Sequence, residues 1–170
     1  MLKGTSIFLR ALEPNDVELL YQWENDSSVW HLGNTLAPLS RQVLQDYINT
    51  AQQDIYSSKQ LRLVICLPEK AIGCIDLFDF DAQHLKAGIG ILIADKSERN
   101  KGYANEAIEL IKEYAAGKLN LHQLYCSISI SNTPSIKLFE ALGFLKSGEF
   151  KDWIRVGGKY EAVNFYQCLL

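Results

Sequence analysis

Residues 88–94 read Gly-Ile-Gly-Ile-Leu-Ile-Ala, a short apolar run rich in β-branched side chains, and after residue 103 the period changes. Ala104, Ala107, Ile108, Ile111, Tyr114 and Ala115 recur at helical spacing, while Glu106, Glu109, Lys112 and Glu113 fall on the other side. The run predicts a buried strand, and the second pattern an amphipathic helix over 103–116 that Gly117 ends. Upstream, 5–10 alternates and predicts a first strand. Pro14 and Asp16 then open a helix whose apolar side is Val17, Leu20, Tyr21 and Trp23. Ser40 caps a second helix, with Val43, Leu44, Tyr47 and Ile48 inward. Segments 61–67 and 71–80, joined through Pro68-Glu69-Lys70, predict an antiparallel hairpin. Downstream, 123–129 alternates as a strand, Thr133 caps a helix with Pro134 at its first position, and Gly143 closes it. Segments 144–156 and 159–169 flank Gly157-Gly158, a dipeptide suited to the positive φ angles of a tight hairpin turn. This order of elements predicts an α+β or α/β mixed fold.

At 170 residues, 48% apolar and 22% charged, the chain is expected to form a single domain, 1–170, with a substantial core. A formal net charge of −3 argues against a general polyanion-binding surface, so nucleic acid is not an expected partner. No apolar run approaches bilayer length and residues 1–4 lack a signal-peptide core, which predicts a cytoplasmic protein with no membrane association. Cys66, Cys74, Cys126 and Cys168 each sit in a strand-like segment without metal spacing. They are read as reduced core residues, and no metal site is expected.

The candidate chemistry lies between the strand and the helix, in Arg99-Asn100-Lys101-Gly102-Tyr103-Ala104. A helix start leaves up to four amide N–H groups without partners and carries partial positive charge; with Arg99 and Lys101 beside it, it suits a pyrophosphate. Taken alone, the loop fits equally well a tight turn eased by Gly102 and flanked by two solvated cations. Asp76 and Asp79 interrupt an apolar strand pattern, and three residues apart they are expected on opposite faces. The stretch 27–39, with Trp30, His31 and Leu36, has no period. It either builds part of a pocket or seals the core edge with Trp30 and Leu36.

The loop sextet resembles the R/Q-x-x-G-x-G/A signature of the GNAT acyltransferases, with Arg99, Gly102 and Ala104 at its fixed positions. Downstream, Asn132-Thr133-Pro134-Ser135-Ile136-Lys137-Leu138-Phe139-Glu140-Ala141-Leu142-Gly143-Phe144 resembles that family's asparagine-plus-helix motif ending in L-G-F. The resemblance covers nearly the whole chain and is closest to the spermidine or diamine acetyltransferases and the ribosomal-protein N-terminal acetyltransferases. It implies the GNAT fold, a mixed and mostly antiparallel sheet of seven strands with about four helices. It also implies an acetyl-CoA-dependent N-acetyltransferase acting on a primary amine of a small molecule, a polyamine or a protein N-terminus. The implied cofactor contacts are the backbone of Ile91, Leu92 and Ile93 for the pantetheine, the loop from Arg99 through Asn100, Lys101, Gly102 and Tyr103 to Ala104 for the pyrophosphate, Asn132 for the pantetheine amides, and Lys137 for a phosphate.

Such a reaction needs a neutral nucleophile. For an amine of pKa ~10.4, deprotonation at pH 7 costs roughly 4.6 kcal/mol, against about 1 kcal/mol for an α-amino group. Asp76 and Asp79 are the candidate bases, directly or through water, with Glu149 and His31 behind them. Many family members place a tyrosine seven residues after the motif asparagine as the proton donor to sulfur, but here that residue is Phe139. Three sources remain: Ser135, a water, or an unassisted thiolate. The acidic cluster of the spermidine enzymes has no counterpart in residues 30–36. An alternative is a CoA-binding module without amine turnover. The final hairpin offers a sheet edge for self-pairing into a homodimer or higher oligomer.

Overall fold

The computed structural model describes residues 1–30, 35–51 and 53–170; His31 lies outside the described residues. Eight strands form one sheet: β1 (Leu2–Lys3), β2 (Phe8–Ala11), β3 (Leu61–Cys66), β4 (Ala71–Asp81), β5 (Lys86–Ile93), β6 (Gln123–Ser129), β7 (Leu145–Val156) and β8 (Lys159–Leu169). Their spatial order is β1-β2-β3-β4-β5-β6-β8-β7, and every neighbouring pair is antiparallel except β5 and β6. Among the described residues the α-helices are α1 (Val17–Glu24), α2 (Arg41–Thr50), the single turn α3 (Ile55–Ser58), α4 (Tyr103–Gly117) and α5 (Thr133–Ala141).

The sheet is covered on both faces, and β3 shows why its sequence is continuously apolar rather than alternating. Leu63 and Ile65 enter the core shared with Ala107, Ile108 and Ile111 of α4 and Phe139 of α5. Val64 and Cys66 point the other way, against Leu20 of α1 and Leu44 and Ile48 of α2. The first face is called the helix-α4 face and the second the helix-α1 face.

Several local expectations shift for identifiable reasons. The first strand shrinks to Phe8–Ala11 because Gly4 N–H turns back to Ile7 O and the Thr5 and Ser6 amides bond Glu106 of α4. That turn leaves an extra strand, Leu2–Lys3, on the edge, which makes the sheet eight-stranded. Val43 is 51% exposed and Leu36 95% exposed, so neither seals the core. The α5 cap is Asn132 instead of Thr133: its Oδ1 accepts the Ser135 amide at 3.3 Å, which moves Pro134 one residue into the helix. Strict alternation along β4 does not reach Asp79, because a β-bulge lies between Phe78 and Asp81; there Asp79 adopts φ 48° and Phe80 returns to the face of Leu77.

Candidate active site

β5 and β6 pair in register only at Lys86–Gln123, Ala87–Leu124 and Gly88–Tyr125, and beyond that point they separate. A wedge sits at the fork. On the helix-α1 face the Phe78 ring covers Gly88, where a Cβ would overlap it, and meets Tyr125 edge-on with ring centroids 6.3 Å apart. From Tyr125 the aromatic row continues through Phe165 and Phe150 to Trp153. A cleft of about 500 Å³ opens in the gap. Ile89, Gly90 and Ile91 of β5 form one wall and residues 126–129 of β6 the other; Asn132, Ser135 and Phe139 of α5, Trp153 and Ile154 of β7, and Ser28 and Val29 after α1 complete it.

Backbone direction decides which residues of β5 serve the gap. Ala94 N–H donates to Ile72 O, so by strand alternation Leu92 and Gly90 direct their peptide groups to β4, and Ile89, Ile91 and Ile93 direct theirs to the gap. Leu92 is therefore replaced by Ile89 in the expected backbone set. Sequence reasoning missed Ile89 because it depends on hydrogen-bond parity, which side-chain types do not reveal. The Ile93 carbonyl is already engaged by Arg99 Nε at 2.8 Å, which holds the guanidinium at the cleft.

The loop after β5 delivers an open helix start. Gly102 stands at the α4 N-cap with φ 88°, and no side chain caps the helix. The first backbone bond of the helix runs from Glu106 N–H to Gly102 O at 3.1 Å, so the amides of Tyr103, Ala104 and Asn105 precede it. Asn100 also has positive φ, at 62°. Lys101, expected beside the phosphate, has its ammonium 2.8 Å from Glu98, which Lys70 also reaches at 2.9 Å. These two cations hold the Glu98 carboxyl below its ordinary range and anchor the loop to the β3–β4 turn. Arg99 lines the cleft. Lys137 is exposed on α5, away from the cleft lining.

Among the other candidates, Ser135 lines the cleft in the first turn of α5, and Phe139 lines it while packing edge-on to Phe144 at 4.9 Å. Asp76 stands opposite Gly90 on the helix-α1 face, one strand from the cleft. Its oxygens accept Arg62 Nε at 2.6 Å and NH2 at 3.2 Å, and Arg62 NH1 reaches Glu24 at 2.6 Å. Burial pushes the Asp76 carboxyl above its ordinary value, against the opposing pull of Arg62. Asp79 is exposed on the bulge, where its carboxylate adds to the effect of burial in raising the Tyr125 phenol. Glu149 is exposed and paired with Lys146 at 2.8 Å. Burial pushes the Cys74 and Cys126 thiols up to about 12, which makes them inert packing groups. Among the described residues no cluster of His, Cys, Asp and Glu is placed to hold a metal, and no helix is long and apolar enough to cross a membrane.

The site is thus a parallel strand pair that forks, with an uncapped helix following the open strand. Residues 6–145 match the acetyltransferase (GNAT) domain family, and the chain belongs to it. The spermidine N(1)-acetyltransferase of Escherichia coli K12 is 30% identical over 164 residues, spanning 94% of this chain and 84% of its own. A putative ribosomal N-acetyltransferase of Bacillus subtilis 168 is 28% identical over 178 residues, covering 96% of this chain and 91% of its own. In fold, the chain resembles the Vibrio cholerae spermidine N-acetyltransferase crystallised with CoA and spermine, with a TM-score of 0.89 over 98% of this chain and 96% of that one at 24% identity. The protein is thus a GNAT N-acetyltransferase with acetyl-CoA as co-substrate. The gap-facing peptide groups and the open α4 start fit an extended amide chain ending in a diphosphate.

Proposed function

We propose that residues 1–170 act as one catalytic unit that acetylates a primary amine entering from the helix-α1 face, while acetyl-CoA occupies the gap and the α4 start. The carrying observation is the fork after Gly88 and Tyr125, which leaves Ile89 and Ile91 peptide groups facing an open cleft directly upstream of an uncapped helix. Arg99 and the amides of Tyr103 and Ala104 bind the diphosphate; Asn132, fixed as the α5 cap, presents its amide to the carrier chain. Gly90 places no side chain between Asp76 and the cleft: a Cβ there would touch only the Phe78 ring, at 3.7 Å.

In this reading Asp76 receives the ammonium proton through a water, and Arg62 fixes its orientation. The amine lone pair then forms the C–N bond to the acyl carbon, the C–S bond breaks with its electron pair going to sulfur, Ser135 or a water supplies the thiol proton, and the second proton leaves the nitrogen to restore that donor through water. The products are an N-acetylamine and free CoA. Asp79 contributes negative charge at the acceptor side. A cytoplasmic location is supported by four buried free cysteines, and self-association by the outer position of β7 in the sheet. The test is thiol release from acetyl-CoA across a panel of polyamines, small amines and peptides. Amine-dependent release supports this function, and none with any amine would refute it.

A further inference from the structure

We infer that the row of aromatic rings beside the fork selects the acceptor, and that the preferred acceptor is a small amine whose body is an aromatic ring. The inference rests on the acetyltransferase reading above: an amine that reaches the gap from the helix-α1 face lays the rest of its body on that face. Sheet register fixes what it meets there. Phe78 stands opposite Gly88 and Gly88 opposite Tyr125; Phe165 stands opposite Ser127, two residues on from Tyr125, and Phe150 opposite Val163, two residues back from Phe165. All four rings therefore share one face of the sheet.

Among the described residues, the apolar cluster beneath α1 and α2 draws on β2, β3 and β4 and includes none of β6, β7 or β8. Beside the fork the surface is aromatic instead. Tyr125 stacks on Phe165 at 5.5 Å, Phe165 meets Phe150 edge-on at 6.4 Å, and Phe150 stacks on Trp153 at 4.7 Å. Burial falls outward along the row: Phe78, Tyr125 and Phe165 are half-buried, Phe150 is 43% exposed and Trp153 62% exposed. Trp153 also lines the cleft, so the row is continuous with the place where the nitrogen reacts. Its ring is already held by Phe150, and a further ring laid on its outer face removes apolar area from water and gains an offset-stacked contact at little ordering cost. A peptide is a poorer occupant. β8, under the middle of the row, is paired on both sides, which commits its main chain to the sheet and offers a peptide no ladder, whereas an aromatic ring needs none.

The test measures initial rates of thiol release from acetyl-CoA with phenylethylamine, n-butylamine and an α,ω-diamine, in wild type, Trp153→Ala and Trp153→Phe. The change in the phenylethylamine-to-butylamine ratio of kcat/KM between variants cancels the amines' own basicity. That ratio is expected to fall about tenfold in Trp153→Ala, through KM of the aryl amine, and to stay near the wild-type value in Trp153→Phe, which keeps a ring. Equal losses for both amines, or an unchanged ratio with or without loss of a larger species in sedimentation velocity, would overturn the aromatic platform while leaving the acetyltransferase intact. A wild type that prefers the diamine to phenylethylamine would overturn it as well. No thiol release with any amine would overturn both readings.

Discussion

Arg62 grips Asp76 through two nitrogens, Nε at 2.6 Å and NH2 at 3.2 Å, in a site where both side chains are largely buried. Breaking a buried pair strands the remaining charge. Asp76→Ala is expected to lower stability by about 3–5 kcal/mol in urea unfolding at pH 7, with Asp76→Asn less affected because it keeps an acceptor for Arg62. Burial raises the Asp76 carboxyl, so the acid limb of kcat/KM is expected above the ordinary carboxylate value of ~3.9. That limb should vanish in Asp76→Asn, and a limb left in place would remove Asp76 as the base.

Gly102 takes φ 88°, and nothing lies within 4 Å of the point a Cβ would occupy, so any effect of a side chain there comes from the backbone alone. Gly102→Ala is expected to cost about 1–2 kcal/mol in local strain and to weaken acetyl-CoA binding by calorimetry about tenfold. Asn100→Gly, at φ 62°, relieves the same kind of strain and is expected to bind normally. Equal affinity in Gly102→Ala would disconnect the helix start from the carrier.

Asn132 links cap and chemistry, since the amide it accepts belongs to Ser135. Asn132→Ala is expected to lose about 0.5–2 kcal/mol from the lost cap, read by thermal unfolding. Ser135→Ala leaves that cap intact and is expected to lower kcat on the order of 10²-fold while KM for acetyl-CoA holds. An unchanged kcat would assign the proton to water.

Far from the cleft, Arg10 NH1 and NH2 bind the two oxygens of Asp16 at 2.6 and 2.8 Å. Burial opposes its ionisation, but Arg10 and the Glu13 amide together hold the Asp16 carboxyl below its ordinary range. A carboxyl depressed in the folded state stabilises the fold above its unfolded value of ~3.9, and that contribution disappears as pH falls through the folded value. Asp16→Asn is therefore expected to narrow its stability gap to wild type as pH drops below about 4, measured by unfolding at stepped pH.

The fold was legible in the sequence where side chains alone set the element. The β-branched run of β5, the stripe of α4 and the Gly157-Gly158 turn, with φ 56° and 85°, appear as the pattern predicts. Gly102 at the head of α4 and Ser135 in the first turn of α5 stand where local sequence signals place them. What stayed hidden depends on contacts distant in sequence. Arg62 pairs with Asp76 across a strand pair and with Glu24 from α1, and Lys101 joins Lys70 on Glu98.

Backbone amide spectra recorded while CoA is titrated into the ¹⁵N-labelled protein test the central claim most directly. The forked-sheet account predicts saturable shifts at Ile89, Ile91, Tyr103 and Ala104, with Leu92, whose peptide faces β4, much less affected. Shifts confined to another surface, or no saturable shifts at these four amides, would contradict it.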